Sequence, residues 1–325
     1  MKINSDNTTE AIKKVKPNLK DNSIKQYEIH LKKLKNLFES DNYDFLSEPK
    51  DVMEKIKERH FTSQRNTLNA IIILLLALNH DGEFDKLIAD YQKIRDKFNE
   101  QYLENQQSGK ISENQAKNFA DLSEIDEMLK KMENEIKESK LKKKENLTGK
   151  DKELLMVYTI YTFLKTYPLR LDLAGMEYIS KTVYNKLSED QKKNTNYLVN
   201  EKNKLTAILN EYKTSKKYGE KKIEIDKAVE KVLRMYIKLT GKTTGDVLFV
   251  SSTGKPLSRN ALTQLLMKTS KKYLNKSIST TMMRKVVLSD KFGELKKEQE
   301  KMAEITGHDV GTMNSVYIKE KDEDE

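Results

Sequence analysis

The sequence predicts an α+β protein, mainly helical with one small antiparallel sheet, and three observations carry that prediction. Through the first hundred residues, apolar side chains recur at helical three- and four-residue steps. Short strand-like runs cluster between residues 177 and 226, bounded by polar and turn-forming residues. The composition, rich in lysine with only 11 Gly and 4 Pro, favours long helices.

Taken in order, residues 18–40 place Ile24, Tyr27, Leu31, Leu34 and Phe38 on one helical face, with Asp21 or Asn22 as the cap. Helices are predicted near 48–59, 62–79 and 83–104, making a domain of about four helices whose apolar stripes face one another. The polar stretch NQQSGKISENQ (105–115) interrupts the apolar period and reads as a linker. A charged helix, 118–143, leads to a helix at 150–167 that ends at Pro168. The strand-like runs are 177–180, 196–199, 205–214 and 221–226, the last two joined as a hairpin through SKKYGE and its Gly219. Helices return at 226–240, 258–275, 280–292 and 296–306. The expected organisation is a helical domain at 1–108, a linker and connecting helix at 109–149, and a mixed domain at 150–325.

Several classes are disfavoured early. With no cysteine there is no disulfide framework, thiolate zinc site or cysteine nucleophile. The four histidines, His30, His60, His80 and His308, form no i, i+4 metal-binding pair. The start, MKINSDNTTE, lacks the apolar region of a signal peptide. The longest apolar run, AIIILLLAL (70–78), is far short of a membrane span and reads as a helix buried on most sides. The expectation is a soluble, intracellular protein.

Net charge is +10, and its distribution says more than its size. Residues 191–285 hold 22 Lys and Arg against 7 Asp and Glu, whereas residues 1–110 are near neutral, with 19 against 18. A concentrated basic region suits a polyanion, because neutralised phosphates release counterions. Lysine enrichment across an AT-rich genome would give a similar count, so charge alone does not choose.

A constellation of motifs is more specific. YPLRLDLAGM (167–176) puts Arg170 after a long helix, with Asp172 two residues on. EYKTSKKYGEKKIEI (211–225) puts Lys213, or in reserve Lys216, on a hairpin. TTMMRKVV (280–287) puts Arg284 on a helix, and AEITGHDVGTMNSVY (303–317) places Tyr317 nine residues after His308. The order Arg, Lys, Arg, His, Tyr resembles the active-site set of tyrosine recombinases and phage-type integrases, over most of residues 150–319. The amino-terminal helices resemble that family's core-binding domain in architecture. One position departs: the family usually carries histidine three residues before its second arginine, and here Thr281 stands there.

The resemblance implies a chemistry. Arg170, Arg284 and His308 would grip the scissile phosphate, and planar guanidinium groups suit phosphate oxygens. Tyr317 would attack phosphorus to give a 3′-phosphotyrosyl bond, and Lys213 would protonate the leaving 5′-oxygen. Asp172 and Thr281 would support the arginines. Neither a metal nor another cofactor is implied. The implied partners are double-stranded DNA and further copies of the chain, from dimer to tetramer, on that DNA. Two alternatives stay open: a type IB topoisomerase, which uses a nearly identical set, and a DNA-binding protein of the same fold impaired by Thr281. The Lys-, Asn- and Ile-rich style resembles recombinases of large DNA viruses and mobile elements. Location would then follow the target DNA, in host nucleus, cytoplasm or viral factory. The acidic end KEKDEDE (319–325) reads as a solvated tail or a cover for a basic groove.

Overall fold

The computed structural model describes residues 8–19, 21–107, 109, 111 and 113–319. The chain forms two compact units, Met1–Ile111 and Ser112–Glu325. The acidic end beyond residue 319 and the first seven residues lie outside the described residues.

The first unit is helical. Helices α1 (Thr8–Val15), α2 (Asp21–Phe38), α3 (Pro49–Ile56), α4 (Phe61–Leu78) and α5 (Asp85–Gln107) follow one another, with a 3-10 turn at Asp44–Ser47. Helix α1 has no counterpart in the sequence expectation; its buried Ile12 packs with Ile24 and Ile73. Helix α4 is the hub, packed against α1, α2 and α5. By length and composition α4 could cross a membrane. Its run Ala70–Leu75 is buried inside this unit, however, which accounts for the apolar stretch by packing. Buried Tyr91 of α5 donates its hydroxyl to the Leu46 carbonyl at 2.9 Å, satisfying the polar end of a core aromatic.

The second unit builds on α6 (Leu122–Glu138) and α7 (Gly149–Thr166). Each starts with a capping box, Asp121 with Glu124 and Thr148 with Asp151, which satisfies the first orphan amides reciprocally. Helix α6 belongs to the core of this unit through Ile125, Met128, Met132 and Ile136, so the segment read as connecting is part of its body. Helix α7 is buried on most sides and packs against α6, α8 (Lys227–Thr240), α9 (Arg259–Leu274) and α10 (Thr280–Thr306). Its buried Tyr161 donates to the Leu266 carbonyl at 2.7 Å, pinning α9.

Four strands form one sheet in the order β1 (Glu177–Ser180), β2 (Tyr197–Glu201), β3 (Lys204–Leu209), β4 (Lys221–Glu224). The last three are antiparallel neighbours, with Tyr197 opposite Ile208 and Ala207 opposite Ile223. Strand β1 corrects the expectation of a wholly antiparallel sheet, because it pairs with β2 in parallel. Parallel neighbours need a crossover rather than a hairpin. Residues 181–196 supply it, through the one-turn helices Lys181–Tyr184 and Glu189–Lys193. The period of two sorts the sheet's faces. Leu198, Leu205, Ala207 and Leu209 enter the main core, while Ile179, Tyr197, Val199 and Ile208 form a small second cluster with Tyr184.

Helix α10 departs further from expectation. Instead of two helices, 280–292 and 296–306, the chain forms one helix of 27 residues. Gly293 is the only weak helix former in the gap and costs about 1 kcal/mol relative to alanine. Neither proline nor a cap enforces a stop there, and Lys296 pairs with Glu300 at 3.4 Å one turn on. The helix ends where a left-handed residue is supplied: Gly307, at φ 71°, donates to the Ala303 and Glu304 carbonyls.

Candidate active site

Pro168 follows the end of α7, and the chain turns into an irregular loop, 168–176, that carries Arg170 and Asp172. The Tyr167 hydroxyl anchors the start of the loop, donating to the Glu224 carbonyl at 3.0 Å and accepting from the Asp226 amide at 2.8 Å. Asp172 is only 8% exposed, and its Oδ2 accepts from the Arg170 amide at 3.2 Å. From the other side, Arg284 on α10 donates its Nε to the Pro168 carbonyl at 2.8 Å.

Electrostatics mark this as one cluster. Burial pushes the Asp172 carboxyl above its usual range, opposed by the Arg170 amide and by the charges of Arg259, Arg284 and Arg170. Burial, then the like charge of Arg170, pulls Arg284 below the ordinary guanidinium value, with Asp172 opposing. The structure therefore brings Arg170, Asp172 and Arg284 together, and adds Arg259, which the sequence reading missed. Arg259 is the first residue of α9 and also meets Glu211, Nη2 to Oε1, at 3.4 Å. Three guanidinium groups around one buried carboxylate leave positive charge free for an anion.

The hairpin beside this cluster carries both lysine candidates. Strand β3 ends at Leu209, so Lys213 lies in the exposed bend beyond it, and Lys216 lies in the one-turn helix Ser215–Tyr218. Buried Tyr212 closes the loop by donating to the Gly219 carbonyl at 2.7 Å, and Lys221 sits 4.9 Å above its ring. Tyr218 is exposed and flanked by Lys217 and Lys221, at 5.1 and 5.4 Å. Basic groups interleaved with an exposed ring suit a nucleic-acid surface. Thr281 is exposed in the first turn of α10, one turn before Arg284.

His308 and Tyr317 sit elsewhere. They stack on each other, with ring centroids 4.6 Å apart and planes 23° apart. The turn between them is capped by Asp309, which accepts from the Thr312 amide at 3.0 Å, and anchored by buried Met313. This hook closes the end of α10, and Thr306 lies about 33 Å of helical rise beyond Arg284. The arginine cluster and the His308–Tyr317 pair therefore lie apart. Around the hook and along α10, Leu288, Phe292, Leu295, Met302, Ile305, Val316, Tyr317 and Ile318 are between 40% and 68% exposed. Leu288, Leu295 and Met302 recur every seven residues, so an apolar stripe runs along the helix that is exposed among the described residues.

Among the described residues, no group of three or more His, Cys, Asp or Glu is placed to hold a metal ion. Two further site residues escaped the sequence reading: Asn196 and Glu211, polar residues just outside strand ends. The signal for Arg259 was available, in a cap-and-arginine pair, Ser258-Arg259, opening a helix beside a basic stretch.

No protein-family model matches the chain, and no curated protein matches it by sequence. Among solved structures, it is similar to a crystal structure of XerA recombinase, with 13% identity and a TM-score of 0.35, over 97% of this chain and 94% of that one.

Proposed function

We propose that this protein cleaves and rejoins DNA strands in the manner of a tyrosine recombinase, with Tyr317 as nucleophile. The observation that carries the reading is the convergence of Arg170 and Arg284 beside one buried carboxylate, loop and helix being joined by the bond from Arg284 to the Pro168 carbonyl, 116 residues away. Like charges are held together only where packing enforces it, and the natural reward for doing so is an anionic ligand. In the proposed reaction Arg170 and Arg284 bind the non-bridging oxygens of a phosphodiester. The Tyr317 oxygen forms a bond to phosphorus as the bond to the 5′-oxygen breaks. The phenol proton passes to His308 or water, and Lys213, or Lys216 if the hairpin register differs, supplies a proton to the leaving 5′-oxygen. Charge developing on phosphate oxygens is met by preorganised donors, commonly the largest catalytic contribution. Asp172 holds the arginine loop, and Thr281 offers one neutral donor where a histidine could also carry a proton.

The separation of His308–Tyr317 from the arginines makes assembly part of the mechanism. The exposed stripe on α10 is the surface on which a neighbouring copy would complete the site on DNA, giving a homo-oligomer. A second function, a DNA-binding protein that does not cut, is favoured by the same separation and by Thr281. One experiment decides: nicked suicide DNA, without magnesium, assayed for a covalent protein–DNA adduct. Adduct in wild type and none in Tyr317→Phe, with DNA binding retained, supports recombinase chemistry. Retarded but uncut DNA with both proteins supports the binder, and adduct persisting in Tyr317→Phe moves the nucleophile elsewhere. Relaxation of supercoiled plasmid without recombinant products would instead indicate topoisomerase activity.

A further inference from the structure

Asn196 begins the link between the two catalytic loops, and its side chain is fully used. It is 5% exposed. Its Oδ1 accepts from the backbone amides of Asn210 and Glu211, both at 2.8 Å. Its Nδ2 donates to the carbonyls of Asp172 and Glu211, at 2.9 and 3.0 Å. Since two partners are N–H groups and two are carbonyls, only an amide satisfies all four, and the orientation of its oxygen and nitrogen is set by chemistry. One end of this bracket is the loop of Arg170 and Asp172. The other is the base of the hairpin, two residues before Lys213.

We infer that Asn196 is a positioning residue that sets the hairpin lysine against the arginine cluster, a role that rests on the strand-cleavage reading above. The Arg259–Glu211 contact at 3.4 Å is a second, looser tie between the same hairpin base and the cluster. Asn196 touches no substrate; it acts through backbone atoms on both sides. A general acid must stand within hydrogen-bond reach of its leaving oxygen, and a misplacement of about 1 Å can cost on the order of 100-fold in rate. Substituting Asn196→Asp keeps size and both acceptor contacts. It also turns a donor into an acceptor facing two carbonyls, so the bracket opens on the side of Asp172 and Glu211.

The test compares Asn196→Asp with Tyr236→Phe. The latter removes the 3.0 Å bond from the Tyr236 hydroxyl to the Leu248 carbonyl in the same core and so controls for lost stability. Asn196→Asp should cleave ordinary suicide DNA on the order of 100-fold more slowly than wild type. With sulfur at the bridging 5′ position, which leaves without a proton, it should recover most of that loss. Tyr236→Phe should show no difference between the two substrates. Equal slowing of both substrates by Asn196→Asp overturns the inference. Hydrogen exchange on the whole chain provides a readout independent of DNA. Faster exchange confined to residues 169–173 and 211–220 in Asn196→Asp supports the bracket, and unchanged exchange there overturns it. Should Asn196→Asp fail to fold, Asn196→Ser is read in the same two assays with the same outcomes. Wild-type protein that forms no adduct on any DNA removes the cleavage reading, while the exchange result still decides whether Asn196 couples the two loops.

Discussion

Arg284 donates its Nε to the carbonyl of Pro168 at 2.8 Å, so the long helix α10 is bonded to the loop that carries Arg170. That bond occupies Nε, which leaves the two terminal nitrogens of the guanidinium for a ligand. The cluster is therefore oriented before any anion arrives, and the energetic cost of gathering its charges has been met by folding.

Arg284→Ala removes both the tether and the charge. Single-turnover adduct formation should fall by about 10²- to 10³-fold or more, the range for loss of one preorganised donor. Thr281→Ala, which removes one neutral hydroxyl at an exposed position, should cost far less. Rapid-quench measurement of adduct on suicide DNA checks both. Comparable losses from the two variants would show that Thr281 carries more of the phosphate binding than its position implies.

The two hairpin lysines are separable by leaving group. Lys213→Ala should cleave ordinary DNA poorly and recover on DNA with a bridging 5′ sulfur, whereas Lys216→Ala should cleave both at similar rates. Recovery shown by Lys216→Ala alone would place the acid in the one-turn helix Ser215–Tyr218 instead of the preceding bend.

The stripe on α10 predicts a surface phenotype. Phe292→Glu with Leu295→Glu changes side chains that are 53% and 51% exposed, so unfolding stability should shift by only about 0.5 kcal/mol per site. Self-association on DNA, followed by analytical ultracentrifugation, should be lost, and adduct formation with it. A double variant that associates and cleaves normally would show that the stripe is not the contact that completes the site.

His30 gives the first unit a pH dependence. Burial, with the charges of Lys33 and Arg59, lowers its pKa from 6.5, while its Nδ1 lies 3.1 Å from Thr67 Oγ1. Above pH 6.5 the ring is neutral in folded and unfolded chains alike. As pH falls below that value the unfolded chain binds the proton first, so stability is lost, progressively, down to the folded-state pKa. Urea unfolding at pH 7.5 and pH 5 should show a smaller stability difference for His30→Gln than for wild type. An unchanged difference would assign the pH dependence to other groups.

The local physics of this chain was legible from its residues. Helical steps in 18–40 anticipate α2, and the apolar run at 70–78 marks the buried turns of α4. The run EYIS coincides with β1, and the turn with Gly219 joins β3 to β4 as an antiparallel pair. Each of these follows from interactions within a few residues, where periodicity and turn chemistry dominate. Arg170, Asp172 and Arg284, which folding gathers into one cluster, were nameable too, because their order and spacing survive in one dimension.

Tertiary structure alone decided the rest. Whether β1 runs parallel or antiparallel to β2 depends on how the crossover at 181–196 packs, which no local pattern states. The continuity of α10 through Gly293 turned on a balance of about 1 kcal/mol between glycine's propensity and its neighbours. That balance separates His308 and Tyr317 from Arg284. Asn196 and Arg259 look like ordinary polar surface residues in the sequence. They acquire roles only because folding brings Asp172, Glu211 and Arg284 to them from distant stretches of the chain, where burial makes each hydrogen bond and each charge count.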